Sequence, residues 1–380
     1  MNRKKNILCL MAFTLLLLQF PFKTDAASSS VKAIVELGES KRLSELKDPL
    51  IITDGRVLVP IREVGDLLSL KVFWDQKTKT AELYGVKKEI SLKLGSKTAY
   101  VNKKNVTLDV PAKVVNGKTY IPLRFVAESL NEKVQWDSKG KVLSIPNTYA
   151  MGMDGNITFW LNRKSGELYQ GIGKEAASKI GELEIRVEEL RKLKVERLSD
   201  TTFYIKLYEA VGTSAVVKRS GQVFVVNGKV SKEAQYSFLG YYPDTNIEQS
   251  QGNVLLTDGK KAEFWNSKGN VVFSYDLTEL VGKDEIYMIE HHAKEYMVLR
   301  EYTTQHLILY DFIKKKAIYV HEVISLTPYE QQYLKEIALD RMGDQDPEHI
   351  IHFVKEDKGV LMFEYKSKET EKINTYKYKL

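Results

Sequence analysis

Residues 54–75 read DGRVLVPIREVGDLLSLKVFWD, and residues 116–137 read NGKTYIPLRFVAESLNEKVQWD. Both stretches carry Gly-x4-Pro-x-Arg-x11-Trp-Asp. The first copy uses Gly55, Pro60, Arg62, Trp74 and Asp75, and the second Gly117, Pro122, Arg124, Trp136 and Asp137, sixty-two residues on. Nine of the twenty-two aligned positions are identical without a gap, a tryptophan and a proline among them. Such a repeat organises a chain before any other feature does, and it usually marks a structural module rather than a catalytic centre.

Each copy reads as strands around one short helix. Asp54-Gly55 and Asn116-Gly117 open β-prone runs and favour tight hairpin turns, because glycine tolerates positive φ. Pro60 and Pro122 end those strands, having no ladder donor, and can begin a helix. Ile61, Val64, Leu67 and Leu68 then share one helix face, as do Leu123, Val126, Ala127 and Leu130. Strands over 71–74 and 133–136 follow, each with a polar turn and a return strand. Residues 89–95 alternate apolar and polar between the copies, and 33–38 look like their counterpart ahead of copy one. The expected unit is an α+β module: an antiparallel sheet with one short helix, used twice over 27–147.

The run 106–137, with Asp109-Val110-Pro111-Ala112, residues 116–128 and Val134-x-Trp136-Asp137, resembles the copper amine oxidase N-terminal-like domain, also called the stalk domain. The resemblance covers about 33–146. Copy one departs from it, with Glu63 where copy two has Phe125 and Ser69-Leu70 where copy two has Asn131-Glu132. It implies a non-catalytic appendage found in exported proteins of Gram-positive bacteria. In the oxidases, copper and a quinone belong to a separate large domain with a His-x-His pair, a third distant His and a modifiable Tyr between Asn and Asp or Glu. Here His291-His292 are adjacent, and Tyr310-Asp311 follows Leu309. Neither oxidase activity nor any cofactor or metal is expected. Arg62 and Arg124 are candidates for holding a ligand. The alternative, favoured by their scaffold company, is that each braces a turn by bonding carbonyls or the nearby Asp.

The first residues speak to location. Arg3, Lys4 and Lys5 precede a nearly unbroken apolar run over 7–20, and Thr24-Asp25-Ala26 offers a cleavage site. This is the layout of a secretory signal peptide over 1–26, the run being short of the roughly 20 residues that span a bilayer. Cys9, the chain's single cysteine, lies within it, so the mature chain has no disulfide and no thiolate metal site. No second long apolar stretch follows, and no transmembrane segment is expected there. Residues 27–147 hold 21 Lys/Arg against 14 Asp/Glu, a net of +7, whereas 148–380 hold 32 against 35, a net of −3. A basic half suits an anionic surface such as a cell wall. Without a dense Lys/Arg cluster, ordinary solubilising lysine is the favoured alternative, and no nucleic-acid partner is expected.

From about 148 the pattern turns all-β. Hairpins rich in aromatics are expected at 157–161 with 166–169, 215–217 with 222–226, 262–265 with 270–275, 306–311 with 316–320, and 360–365 with 373–376. Units of 45–55 residues with several strands suggest propeller blades; a β-sandwich or open meander is the alternative. A charge-rich helix is expected over 175–194, with a break near Gly181. Another begins at Thr327-Pro328-Tyr329-Glu330, a capping box with Pro in the first turn, and can end at Gly343. Trp160 and Trp265 could stack on sugars, although core packing fits them better. Glu348-His349-x-x-His352 lacks the zinc-protease order, and each His fits a structural or surface role better. The expectation is an exported, non-catalytic protein that meets a cell-wall polymer or envelope protein. It would be secreted, or held at the wall, and present a β-rich binding domain. The rival is a secreted carbohydrate-active enzyme with a propeller-type catalytic domain in 148–380.

Overall fold

The computed structural model describes residues 28–380 apart from 39–40, 188, 213–215, 240–243 and 337–348. The expected signal segment, Ala215, Gly343 and Glu348 lie outside the described residues. The protein is mostly β, with 55% in strands and 10% in helices.

The two motif strands, Arg56–Pro60 and Lys118–Pro122, pair antiparallel with each other at the centre of a five-stranded sheet. Their register is Pro60 with Tyr120, Val59 with Ile121 and Leu58 with Pro122, so equivalent positions exchange places about the Val59–Ile121 pair. The two copies thus meet across a local two-fold axis. Asp54 and Gly55 both have positive φ (50° and 70°), as do Asn116 and Gly117 (49° and 76°), the geometry a tight primed turn demands. Each proline ends its strand and precedes a helix, α1 (Ile61–Leu68) or α2 (Leu123–Ser129). Each motif Asp caps the hairpin turn after its Trp. Asp75 Oδ1 accepts from the Lys77 N–H at 2.8 Å, and Asp137 Oδ1 from the Lys139 N–H at 2.9 Å.

Both copies feed one core. Val64, Leu67 and Leu68 of α1 pack together with Leu123, Val126 and Ala127 of α2, Val59, Ile121, Leu83, Ile90 and Leu143. The second sheet runs Lys104–Thr107, Thr98–Val101, Lys88–Lys93, Thr80–Gly85 and Lys71–Asp75; the third runs Gln135–Asp137, Val142–Ile145, Ile34–Leu37 and Arg42–Glu45. Among the described residues the antiparallel pattern has one exception: the return strand of copy two, Val142–Ile145, pairs parallel with Ile34–Leu37. The strand ahead of copy one therefore completes the sheet of copy two.

From Tyr149 onward five antiparallel meanders follow one another. Four are four-stranded, spanning 149–182, 190–239, 249–276 and 287–319, and the last, spanning 352–379, is three-stranded. Neighbouring sheets stack face to face, and strand alternation divides each middle strand between two cores. In Thr202–Val211, Phe203, Ile205 and Leu207 pack against the first sheet, while Tyr204 packs on Val254 and Leu256 of the third. In Tyr296–Glu301, Met297 and Leu299 face the third sheet, while Val298 faces the fifth. Burial on both faces makes these strands near-continuous apolar runs.

Two expectations for this half fail. Residues 175–194 are not a helix: Ser178–Glu182 and Leu190–Arg197 are strands. Leu183, Ile185 and Val187, spaced by two, are buried between the first two sheets. Residues 217–226 are one strand, not a hairpin broken near Gly221. There a Cβ would lie 3.2 Å from Leu207 Cβ, so Gly221 serves close strand packing and the real turn is at Asn227-Gly228. The capping box forms as read. In α3 (Pro328–Glu336) the Glu330 N–H donates to Thr327 Oγ1 at 3.2 Å, and the Thr327 N–H donates to Glu330 Oε2 at 3.1 Å.

Candidate functional site

The residues singled out by sequence fall into two groups. Arg62 and Arg124 open α1 and α2 and are both exposed. Neither makes a hydrogen bond or ion pair with the described residues, so the turn-bracing role is not the one the geometry shows. Replacing either by alanine is expected to change stability by less than about 0.5 kcal/mol, as urea denaturation would read.

Both tryptophans are packed away. Trp160 is 1% exposed and donates its indole N–H to the Ser69 carbonyl at 2.8 Å. Trp265 is 9% exposed, lies 5.0 Å from the Phe224 ring and donates to Glu263 Oε2 at 3.0 Å. Neither offers a ring face to a sugar. His349 is buried, with Nδ1 2.9 Å from the Lys366 carbonyl, and His352 begins a strand. The two do not share a helix face. Among the described residues no group of three or more His, Cys, Asp or Glu side chains is placed to hold a metal ion.

Trp160 marks where the halves join. Ser69 closes α1 in the left-handed region, its N–H bonding the Gly65 carbonyl. Its Oγ donates to the Tyr149 carbonyl at 2.8 Å, and Lys71 Nζ donates to the Asn156 carbonyl at 2.9 Å. Tyr149, Met151, Tyr169 and Val86 surround the Trp160 ring. Copy one thus departs from copy two at Ser69-Leu70 where the first meander docks. Its other departure, Glu63, is buried and accepts the Lys47 N–H at 3.1 Å.

Beside this joint lies a cleft that sequence reading did not find. One part, about 600 Å³, and a second, about 290 Å³, share Leu37, Arg42, Asn147, Arg163 and Leu190. The walls carry Arg42, Lys133, Arg163, Lys164, Arg191 and Lys192 against Asp66 and Glu189. Arg42 comes from the strand Arg42–Glu45, Arg163 from the turn after Ile157–Asn162, and Arg191 from the strand Leu190–Arg197. Arg163 donates Nη1–H to the Leu190 carbonyl at 3.0 Å, while its Nε is buried without a hydrogen-bond partner among the described residues. Burial, and then the nearby Arg42, push the Arg163 guanidinium down to about 10. Arg42 is lowered too, by burial and by Arg191, against the opposing pull of Glu189. Three guanidinium groups are therefore gathered at one cleft, with the carboxylates Glu189 and Glu209 opposing them. Such an arrangement attracts oxyanions.

Three comparisons bear on this geometry. The chain is 25% identical over 271 residues to a protein named "Protease inhibitor" from Brevibacillus choshinensis, across 65% of this chain and 83% of that protein. Among solved structures, the AfRom2 CNH domain overlaps 90% of this chain and 84% of its own at 9% identity and a TM-score of 0.22. YCF48 bound to D1 peptide overlaps 82% and 95% at 9% identity and a TM-score of 0.18. Superpositions this loose say nothing about the fold. The family model of the copper amine oxidase N-terminal domain matches residues 40–145, which hold both copies of the motif, their paired strands and most of their common core. Residues 40–145 thus form a domain of the copper amine oxidase N-terminal family.

Proposed function

We propose that the protein is an exported, non-catalytic binding protein, in which the family domain associates with the cell envelope and the β-rich half presents a surface to a partner. The observation that carries this is the division of charge. The family half holds the chain's positive excess, and the lysines of its second sheet, such as Lys77, Lys79, Lys93, Lys97, Lys103 and Lys104, are exposed. Export rests on the signal-like segment at 1–26. Five consecutive meanders, each packed on the next, support a propeller-like reading of 148–380. The mature protein is expected to pellet with purified cell walls at low salt. It should be released as ionic strength rises, since exposed charges beyond about 10 Å are screened at roughly 0.1 M salt. Protein that stays in the supernatant at low salt would rule out the envelope role.

A second reading, protease inhibition, is favoured by the Brevibacillus choshinensis relative, most of whose length aligns with this chain. Titrating serine, cysteine and metalloproteases with the protein separates the two. If no protease loses activity at a several-fold excess of the protein, inhibition is excluded. A carbohydrate-active enzyme gains no comparable support, because the cleft beside the joint is lined by arginine and lysine rather than by a converging carboxylate pair.

A further inference from the structure

We infer that the cleft between the family domain and the first two meanders is a binding site for a phosphate group, held by Arg42, Arg163 and Arg191. Nothing in the motif, the family or the relative's name assigns it. It also stands apart from the envelope reading, since wall binding by surface lysines does not require it.

Three features point the same way. First, the walls come from three separate elements, so the site exists only when the two halves are docked. Second, Arg163 is half-buried with one guanidinium edge bound to the Leu190 carbonyl, and its Nε–H is left unpaired. A buried donor without a partner costs about 1–3 kcal/mol, and the same side chain lines both parts of the cleft. Third, like charges are gathered where solvent is partly excluded. Arg42 stands close enough to Arg163 and Arg191 for each pair to disfavour its charged forms. Glu189 and Glu209 oppose the burial of Arg163, and the Glu189 backbone N–H donates to Glu209 Oε1 at 2.7 Å. The cleft walls carry six cations against the two carboxylates Asp66 and Glu189, an excess of positive charge that suits an oxyanion. Guanidinium groups bind phosphate oxygens in bidentate fashion, which lysine cannot do. The larger part of the cleft is open and has room for the rest of a phosphate-bearing molecule.

The test uses the mature full-length chain and inorganic phosphate at constant ionic strength. Thermal unfolding and calorimetric titration are expected to give saturable stabilisation with a Kd of about 1 mM or tighter, and equimolar chloride should not reproduce it. Arg163→Gln should weaken binding at least about tenfold. Because that residue is half-buried and its variant could fold poorly, Arg42→Gln is the second test. It removes one of the like charges, so in phosphate-free buffer it should be no less stable than the wild type, yet its response to phosphate should fall about tenfold. Two further arms, a soluble phosphodiester-linked glycerol polymer and anionic phospholipid vesicles, identify the source of the phosphate by whether inorganic phosphate competes with them. Two results would overturn the inference: no phosphate stabilisation of the folded wild type, or stabilisation that Arg42→Gln leaves intact. A wild type that binds walls but not phosphate would sink this site alone. One that binds phosphate but not walls would sink only the envelope reading.

Discussion

Replacing Trp160 by alanine is expected to lower stability by about 3–5 kcal/mol, the usual loss for a buried large aromatic, and to uncouple the two halves of the chain. Its ring is closed in by residues from both sides, Val86 of the family half and Tyr149, Met151, Tyr169 and Ala177 of the first meander. Its N–H satisfies the Ser69 carbonyl at the end of α1, a terminus that would otherwise bury an unpaired acceptor. Removing the side chain leaves a cavity and an orphan carbonyl at the same point. Differential scanning calorimetry should show the single wild-type transition splitting into two, the family domain and the meander array melting separately. Trp160→Phe, which keeps most of the ring but loses the donor, should cost about 1–3 kcal/mol. A Trp160→Ala variant that melts in one transition at the wild-type temperature would show that the joint contributes nothing.

The second large effect is acid sensitivity beginning well above the carboxylate range. His292 is buried, with Nε2 2.9 Å from the Tyr275 hydroxyl, Nδ1 2.9 Å from Ser250 Oγ and its ring stacked 4.4 Å from Phe264. Burial, and then His291, push it down to about 4. His321 lies 4.5 Å from the His306 ring, and its Nδ1 is buried without a partner among the described residues. Burial, then His306 and Lys335, push it to about 4 against the weaker opposing pull of Glu301. In the unfolded chain both imidazoles take up protons as pH falls through about 6.5; in the folded chain they do so only near 4. Between those values the unfolded state binds more protons. Stability is therefore intact above about 6.5 and falls as pH drops toward 4. Each group contributes roughly 2–3 kcal/mol to the loss by about pH 4.5. Urea denaturation at about pH 7.5 and 4.5 should show a deficit near 5 kcal/mol from the pair, and His321→Phe should shrink it by about half. Equal stability at the two pH values would contradict this account.

The parts of the fold legible in sequence are those that local chemistry controls. Turns at Gly55 and Gly117 need positive φ, Pro60 and Pro122 stop strands, and Thr327 with Glu330 caps a helix; each appears where it was read. The errors arose where local preference and burial disagree. Residues 175–194 are rich in helix-favouring Glu, Lys, Arg and Ala, but their period-two apolar set, Leu183, Ile185 and Val187, is what the two-sheet core buries. Gly221 resembles a turn residue because nothing local shows how tightly the neighbouring strand packs against it.

The candidate site was far less legible. Arg42, Arg163 and Arg191 lie on three elements well apart in the chain, and no spacing rule connects them. The one available signal was indirect: at Ser69-Leu70 the first copy abandons the pattern of the second, and the structure puts the docking contact there.

The sequence by itself determined the duplicated domain, its turns and caps, and the β-rich character of the remainder, because φ preferences, capping and side-chain periodicity act over a few residues. Only the tertiary structure decided that the two copies share one core across paired motif strands, and that the strand before copy one completes the sheet of copy two. It also decided that Trp160 bolts the halves together and that three distant arginines face one cleft. Those outcomes depend on which apolar faces and unpaired polar groups meet after the chain has closed on itself, and that choice is made by long-range burial rather than by neighbours in sequence.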